Sequence, residues 1–190
     1  MKEIIHENKV FEKIDYSQKS LAEREFDSCT FRECGFSGSN LSNNNFIDCR
    51  FENCDLSNVK TNDTKMQNIF FKDCKMVGID FSDCLDFLFS VSFENCRLDY
   101  SFFLRRNLKK TKFIDCSIIE ANFSDSDLSG SCFDNCDLDR TVFTRSNLSG
   151  ADLISAYNFS IDPESTNIKK AKFAYHGIVG LLGKYEIIIE

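Results

Sequence analysis

The chain of 190 residues has no tryptophan, one proline and two histidines. It also lacks any uninterrupted apolar run of about eighteen residues, so no membrane-spanning helix is expected. The opening segment, MKEIIHENKV, alternates charges with aliphatic residues and shows neither the apolar core nor the cleavage site of a secretory signal. A cytoplasmic protein is therefore expected, where ten cysteines stay as thiols and do not build a disulfide scaffold. No Cys-x-x-Cys pair occurs, and with only His6 and His176 available a zinc site is poorly supplied. Neither histidine has a recognisable serine or cysteine partner. The tail GIVGLLGK falls short of a phosphate loop, because Ile178 stands where glycine is needed and Tyr185 where serine or threonine is needed. These gaps lead to the expectation of no metal, no cofactor and no enzymatic activity.

What the chain does contain is 42% apolar and 28% charged residues, with a mean hydropathy of -0.28, which suits one folded domain. Twenty of its residues are phenylalanine, and they recur with a period. Steps of five from Phe26 reach Phe31, Phe36, Leu41, Phe46 and onward to Phe81, and the step then fails at Asp86. A second register runs from Leu88 through Phe93 and Leu98 to Leu153. Of these twenty-six centres only Thr61 is not large and apolar. The two registers are offset by two extra residues, expected within 82–87. Neither a helical period nor simple strand alternation gives this pattern.

The position two before each centre is mostly small, and nine of the ten cysteines occupy it when Cys84, two before the failed step at Asp86, is counted, Cys132 being the exception. In an extended segment residues i−2 and i share one face, so both are expected to point inward. Cys34, Cys54 and Cys74 are twenty apart, as are Cys96, Cys116 and Cys136. Four five-residue sides therefore make one turn, and like residues stack from turn to turn. The twenty-six centres correspond to about 6.5 turns and a rod of about 31 Å at the ladder spacing.

The segments SGADL (Ser149–Leu153), SNNNF (Ser42–Phe46) and RSNLSGADL (Arg145–Leu153) resemble the pentapeptide-repeat family. The resemblance implies an all-β solenoid, a right-handed quadrilateral parallel β-helix. Residues 1–25 are expected as an N-terminal cap, with Val10, Phe11, Ile14, Tyr16 and Leu21 supplying its apolar side. Residues 26–158 are expected as the helix, and 159–190 as a short apolar C-terminal cap ending in a strand over 185–189. By resemblance the tip, with Ile178, Val179, Leu181 and Leu182, joins two rods as a homodimer.

Charge offers the functional signal. Residues 115–153 carry eight acidic and two basic side chains, a net of −6. Arg105, Arg106, Lys109, Lys110 and Lys112 form a basic segment just before them. An acidic rod repels nucleic acid but suits a basic groove built for DNA. Relatives of the quinolone-resistance type act on DNA gyrase in this way, and the resemblance implies a type II topoisomerase as partner, bound through Asp125, Asp127, Asp134, Asp137 and Asp139. The equal alternative is that the acidic walls serve solubility and block stacking of rods, and that the partner is a different protein. A second candidate surface is the insertion, where Phe87 and Phe89 are expected outward around an inward Leu88, near outward Phe70 and Phe102. Either these rings form a contact patch, or the inserted residues cover them. Arg106 occupies a slot meant for a small residue; either the wall bulges there or the guanidinium reaches a buried acceptor such as Asp86.

Overall fold

A computed structural model describes residues 4–185 together with 187 and 188. The chain winds as a four-sided parallel β-helix with five residues per wall. Along the second wall nine short strands stack in parallel, from Val10–Glu12 through Thr30–Arg32, Arg50–Glu52 and Ile69–Lys72 to Val91–Glu94, Lys112–Ile114, Cys132–Asp134, Asp152–Leu153 and Lys172–Phe173. Residues twenty apart are in register, Phe31 on Phe51 and Phe113 on Phe133, and the step widens to Phe71 on Phe93 across the insertion. Nine rungs make about eight turns and a rod of about 38 Å. This is longer than the repeat count predicts because both ends of the chain wind into it.

The repeat centres supply the core. On the second and fourth walls phenylalanine rings stack on their copies in the next coil, 4.8 Å between centroids for Phe113 and Phe133 and 4.7 Å for Phe103 and Phe123. Rings on the two walls meet edge to face, as Phe113 and Phe123 do at 5.9 Å and 86°. Such pairs contribute about 0.5–1.5 kcal/mol each beyond burial. Nine cysteines are buried in the slot two before a centre, and Cys132 is half-buried. Their thiols face carbonyls, Cys136 Sγ lying 3.4 Å from both Phe113 O and Asp134 O. Burial pushes the thiols of Cys49 and Cys84 up to about 12.

Corners need a backbone that few residues adopt cheaply. Positive φ occurs at thirty described positions, almost always two after a centre, and seventeen of them are Asn, Asp or Gly. Asn and Asp tolerate this left-handed region because their short polar side chains bond locally. Much of the asparagine and aspartate in the sequence is therefore corner material.

The segment expected as an N-terminal cap forms a further coil. Ile4–Glu7 pairs with Arg24–Asp27 and Val10–Glu12 with Thr30–Arg32. The five-step continues backward from Phe26 through Leu21, Tyr16 and Phe11 to His6, whose ring stacks on Phe26 at 4.9 Å. A histidine at a centre hid the repeat there. At the other end the step slips after Leu153, burying Ala156, Phe159 and Ile161, before Lys172–Phe173 rejoins the ladder. Two short 3₁₀ helices, Tyr175–Leu181 and Gly183–Tyr185, then lie across the last coil. Gly180 O accepts the Ile161 N–H at 2.9 Å, and a Cβ on Gly180 would stand 2.3 Å from Phe159 O, so only glycine fits. Of the expected terminal strand, Tyr185 belongs instead to the second 3₁₀ helix and Ile187 and Ile188 are in no strand; the rest lies outside the described residues.

Candidate partner-binding surfaces

The insertion lies later than the sequence predicts. Residues 84–88 keep the five-residue form, with buried Cys84 two before the centre and Leu88 at the corner with φ 59°. The centre slot, however, holds Asp86, which cannot enter an apolar core as an ion and turns out, its side chain 83% exposed. The two extra residues are Phe89 and Ser90, and Phe89 folds back to fill the vacated place, 9% exposed and edge to face with Phe81 at 6.2 Å. The first-wall ladder of Ile4–Glu7, Arg24–Asp27, Asn45–Ile47 and Lys65–Gln67 ends at this bulge.

Arg106 locks the bulge from the next coil. Its guanidinium is buried, donates to Cys84 O and Ser82 O at 2.8 Å each, and lies 3.0 Å from Asp86 Oδ1. It also sits over the Phe89 ring, 5.5 Å from the centroid. The wall bulges and the guanidinium reaches buried acceptors as well, but these are the Cys84 and Ser82 carbonyls, whereas Asp86, expected as the buried acceptor, pairs with it from the solvent side. The expected arrangement around the insertion holds only for Phe87, outward and 71% exposed: Leu88 is 53% exposed instead of inward, and Phe89 is buried instead of outward. Phe102 is exposed, whereas Arg50 covers Phe70 with its guanidinium 4.6 Å from the ring centre.

The five aspartates predicted as a binding set are not on one face. Asp125 stands at a corner, Asp127 on the first wall, Asp134 on the second, and Asp137 and Asp139 flank Leu138 on the third. Arg145 clamps Asp125 with two bonds of 2.7 Å from the next coil and holds its carboxyl below the usual range. Lys109 reaches Asp127 at 3.3 Å, and Arg140 reaches Asp139 at 3.2 Å. Asp134 accepts the Ser155 hydroxyl at 2.6 Å, and Asp137 accepts the Asn158 amide at 2.9 Å. Register places an acid opposite a base one coil away, a partnership that sequence spacing of twenty would have revealed for Asp125 and Arg145.

At the C-terminal tip, Tyr175, Ile178 and Val179 are exposed on the 3₁₀ helix, with Tyr185, Ile187 and Ile188 exposed beyond it. Leu181 packs against the core and Leu182 is half-buried, so only Ile178 and Val179 of the four predicted tip residues face out. Among the described residues no group of His, Cys, Asp and Glu could hold a metal ion, and no helix is long and apolar enough to cross a membrane.

The family description "Pentapeptide repeat region" matches residues 24–103 and 86–159. No curated protein sequence matches the chain significantly. Among solved structures, a trypsin-treated form of QnrB1, described as a plasmid-mediated fluoroquinolone resistance protein, aligns with a TM-score of 0.63 at 20% identity, over 98% of this chain and 100% of that one. At that identity the likeness is one of fold alone. HetL, a pentapeptide repeat protein involved in heterocyst differentiation regulation from the cyanobacterium Nostoc, gives a TM-score of 0.40 at 13% identity, over 87% of this chain and 85% of that one. A pentapeptide repeat protein of the Arabidopsis thaliana thylakoid lumen gives 0.27 at 16% identity, over 93% and 89%.

Proposed function

The chain belongs to the pentapeptide-repeat family, and from that premise we propose that it is a non-enzymatic, protein-binding rod that enters the DNA cleft of a type II topoisomerase, DNA gyrase or topoisomerase IV, in place of DNA. The observation that carries this reading is linear charge density. Net charge over the whole rod is −7, or one charge per about 5 Å of the axis, far sparser than the about 1.7 Å of duplex DNA. Residues 115–153 differ: a net of −6 is spread over about two coils and about 10 Å, or one charge per about 1.6 Å. Lys109 and Lys172 reach in from neighbouring coils to Asp127 and Asp152, which lowers the density to one per about 2.4 Å. These charges stand on the first three walls and at the corners of the fourth, where Arg140 and Arg145 pair with Glu120 and Asp125. The apolar outer face of the C-terminal cap supports end-to-end pairing of two rods, which would lengthen the mimic.

A supercoiling assay with purified gyrase tests the reading. The expected result is inhibition, or protection against a quinolone, at micromolar protein, abolished by Asp134→Lys plus Asp137→Lys plus Asp139→Lys. No effect of the unmodified protein on gyrase or topoisomerase IV would overturn it.

A further inference from the structure

The bulge on the first wall combines features that the acidic coils lack. We propose that it is a docking site for an acidic segment of a partner protein that carries an aromatic or aliphatic anchor. The apolar half is Leu85, Phe87 and Leu88, all exposed within four residues of chain. An exposed ring on an otherwise polar wall favours a contact that removes it from water. The ring is not loose: Arg106 ties the start of the bulge through Ser82 O and Cys84 O, and Phe89 is anchored in the core behind it. A knob held rigid in this way binds without first being ordered.

The charged half surrounds it. Lys65, one coil before, has its ammonium 6.0 Å from the Phe87 ring centre. Lys110 and Lys112, one coil after, line a groove of about 310 Å³ at the corner beside the bulge, with Asn68, Ser90 and Ser92. Many cations of the rod pair with acids across coils, as Arg32 does with Glu52, Lys72 with Glu94, Lys75 with Asp55 and Arg145 with Asp125, while others among the described residues, Lys19, Lys60 and Arg105 included, do not. Lys65, Lys110 and Lys112 have no ion-pair partner among the described residues. Among the described residues, the bulge also leaves the Asp86 and Leu88 N–H groups without the backbone acceptor that centre and corner residues find in the regular coils. Three unpaired ammonium groups around an exposed ring complement carboxylates flanking an apolar side chain. Register places no acid opposite them: Lys65 faces Asn45 on one side and the bulge on the other, and Lys112 faces Ser92 and Cys132.

This surface centres on the bulge and lies outside residues 115–153 of the topoisomerase reading, so failure of the supercoiling assay leaves it standing. Its test is selection: a displayed library of random peptides of about twelve residues panned on the full-length protein. The expected winners carry several Asp or Glu around an aromatic or large aliphatic residue. Binding of the synthetic winning peptide is expected to weaken by about tenfold or more for Phe87→Ser and for Lys110→Asp plus Lys112→Glu. Both sites are at the surface, and Asp suits the left-handed corner at Lys110 (φ 57°), so melting temperatures of the variants are expected to match the parent. The proposal is overturned by winners without acidic residues, by no enrichment, or by undiminished binding to both variants. Displacement of the peptide by duplex DNA of equal charge would instead assign the site to nucleic acid and also overturn it. So would self-association that Phe87→Ser abolishes, because the occupant would then be a second copy.

Discussion

Along the column two before the first-wall centres, Thr64, Cys84 and Ser126 are small, and Arg106 brings a guanidinium into the same column. A buried cation is tolerated only where its donors are met. Here two carbonyls meet the two terminal nitrogens, Nε is buried without a partner, and Asp86 adds charge from a position that is mostly in water. The exposed carboxylate contributes little, whereas the buried carbonyl bonds matter. Arg106→Met is therefore expected to destabilise the rod by about 2–3 kcal/mol, and Asp86→Asn by less than about 1 kcal/mol. Urea unfolding measures both, and limited proteolysis within 85–90 should speed up in Arg106→Met only. Equal costs would show that the ion pair, not the carbonyl bonds, holds the bulge. At this scale the sequence was legible wherever the repeat was obeyed. Phe87 and Phe89 show where legibility ended: the same side chain two residues apart goes out in one case and in in the other, decided by the turn at Leu88.

Among the elements, the first coil shows how one polar centre disguises a repeat. His6 takes the place held by Phe26 and Phe46 in the next two coils, stacked on Phe26 and edge to face with Phe11. Its Nε2 is buried without a hydrogen-bond partner. Burial first, then the charges of Lys9 and Arg24, lower its pKa from 6.5. With the folded pKa below the unfolded one, the unfolded coil binds more protons in the interval between them, so stability rises with pH there. The His6 contribution is whole above pH 6.5 and is lost as pH falls from that value towards the lowered one. Amide exchange over 4–23, corrected for intrinsic rates, is expected to be faster at about pH 5.5 than at about pH 7.5. His6→Phe should remove the difference while leaving exchange in the central coils unchanged. An unaltered pH dependence in His6→Phe would place the titration elsewhere.

For the molecule as a whole, stability is shared between neighbouring coils and the two ends are treated differently. The N-terminal coil leaves a ladder edge that carries Lys9, Lys13 and Lys19, charges that discourage stacking. The C-terminal edge is covered by the 3₁₀ helix seated through Gly180, whose outer side is apolar. If two rods pair through that side, light scattering should give a dimer mass for the parent and a monomer mass for Val179→Asp, with Val10→Asp at the opposite end remaining dimeric. A dimer unaffected by Val179→Asp would move the interface away from the tip. Sequence alone determined the four-sided coil, the inward centres and the buried thiols, because a strict period of five leaves one way to put every large side chain inside. The tertiary structure decided what happens where the period fails: Asp86 turned out, Phe89 turned in, Arg106 drawn beneath them, and acids set against bases one coil away. Each of those outcomes depends on residues about twenty apart in sequence and one ladder spacing apart in space, a proximity that exists only once the chain has wound.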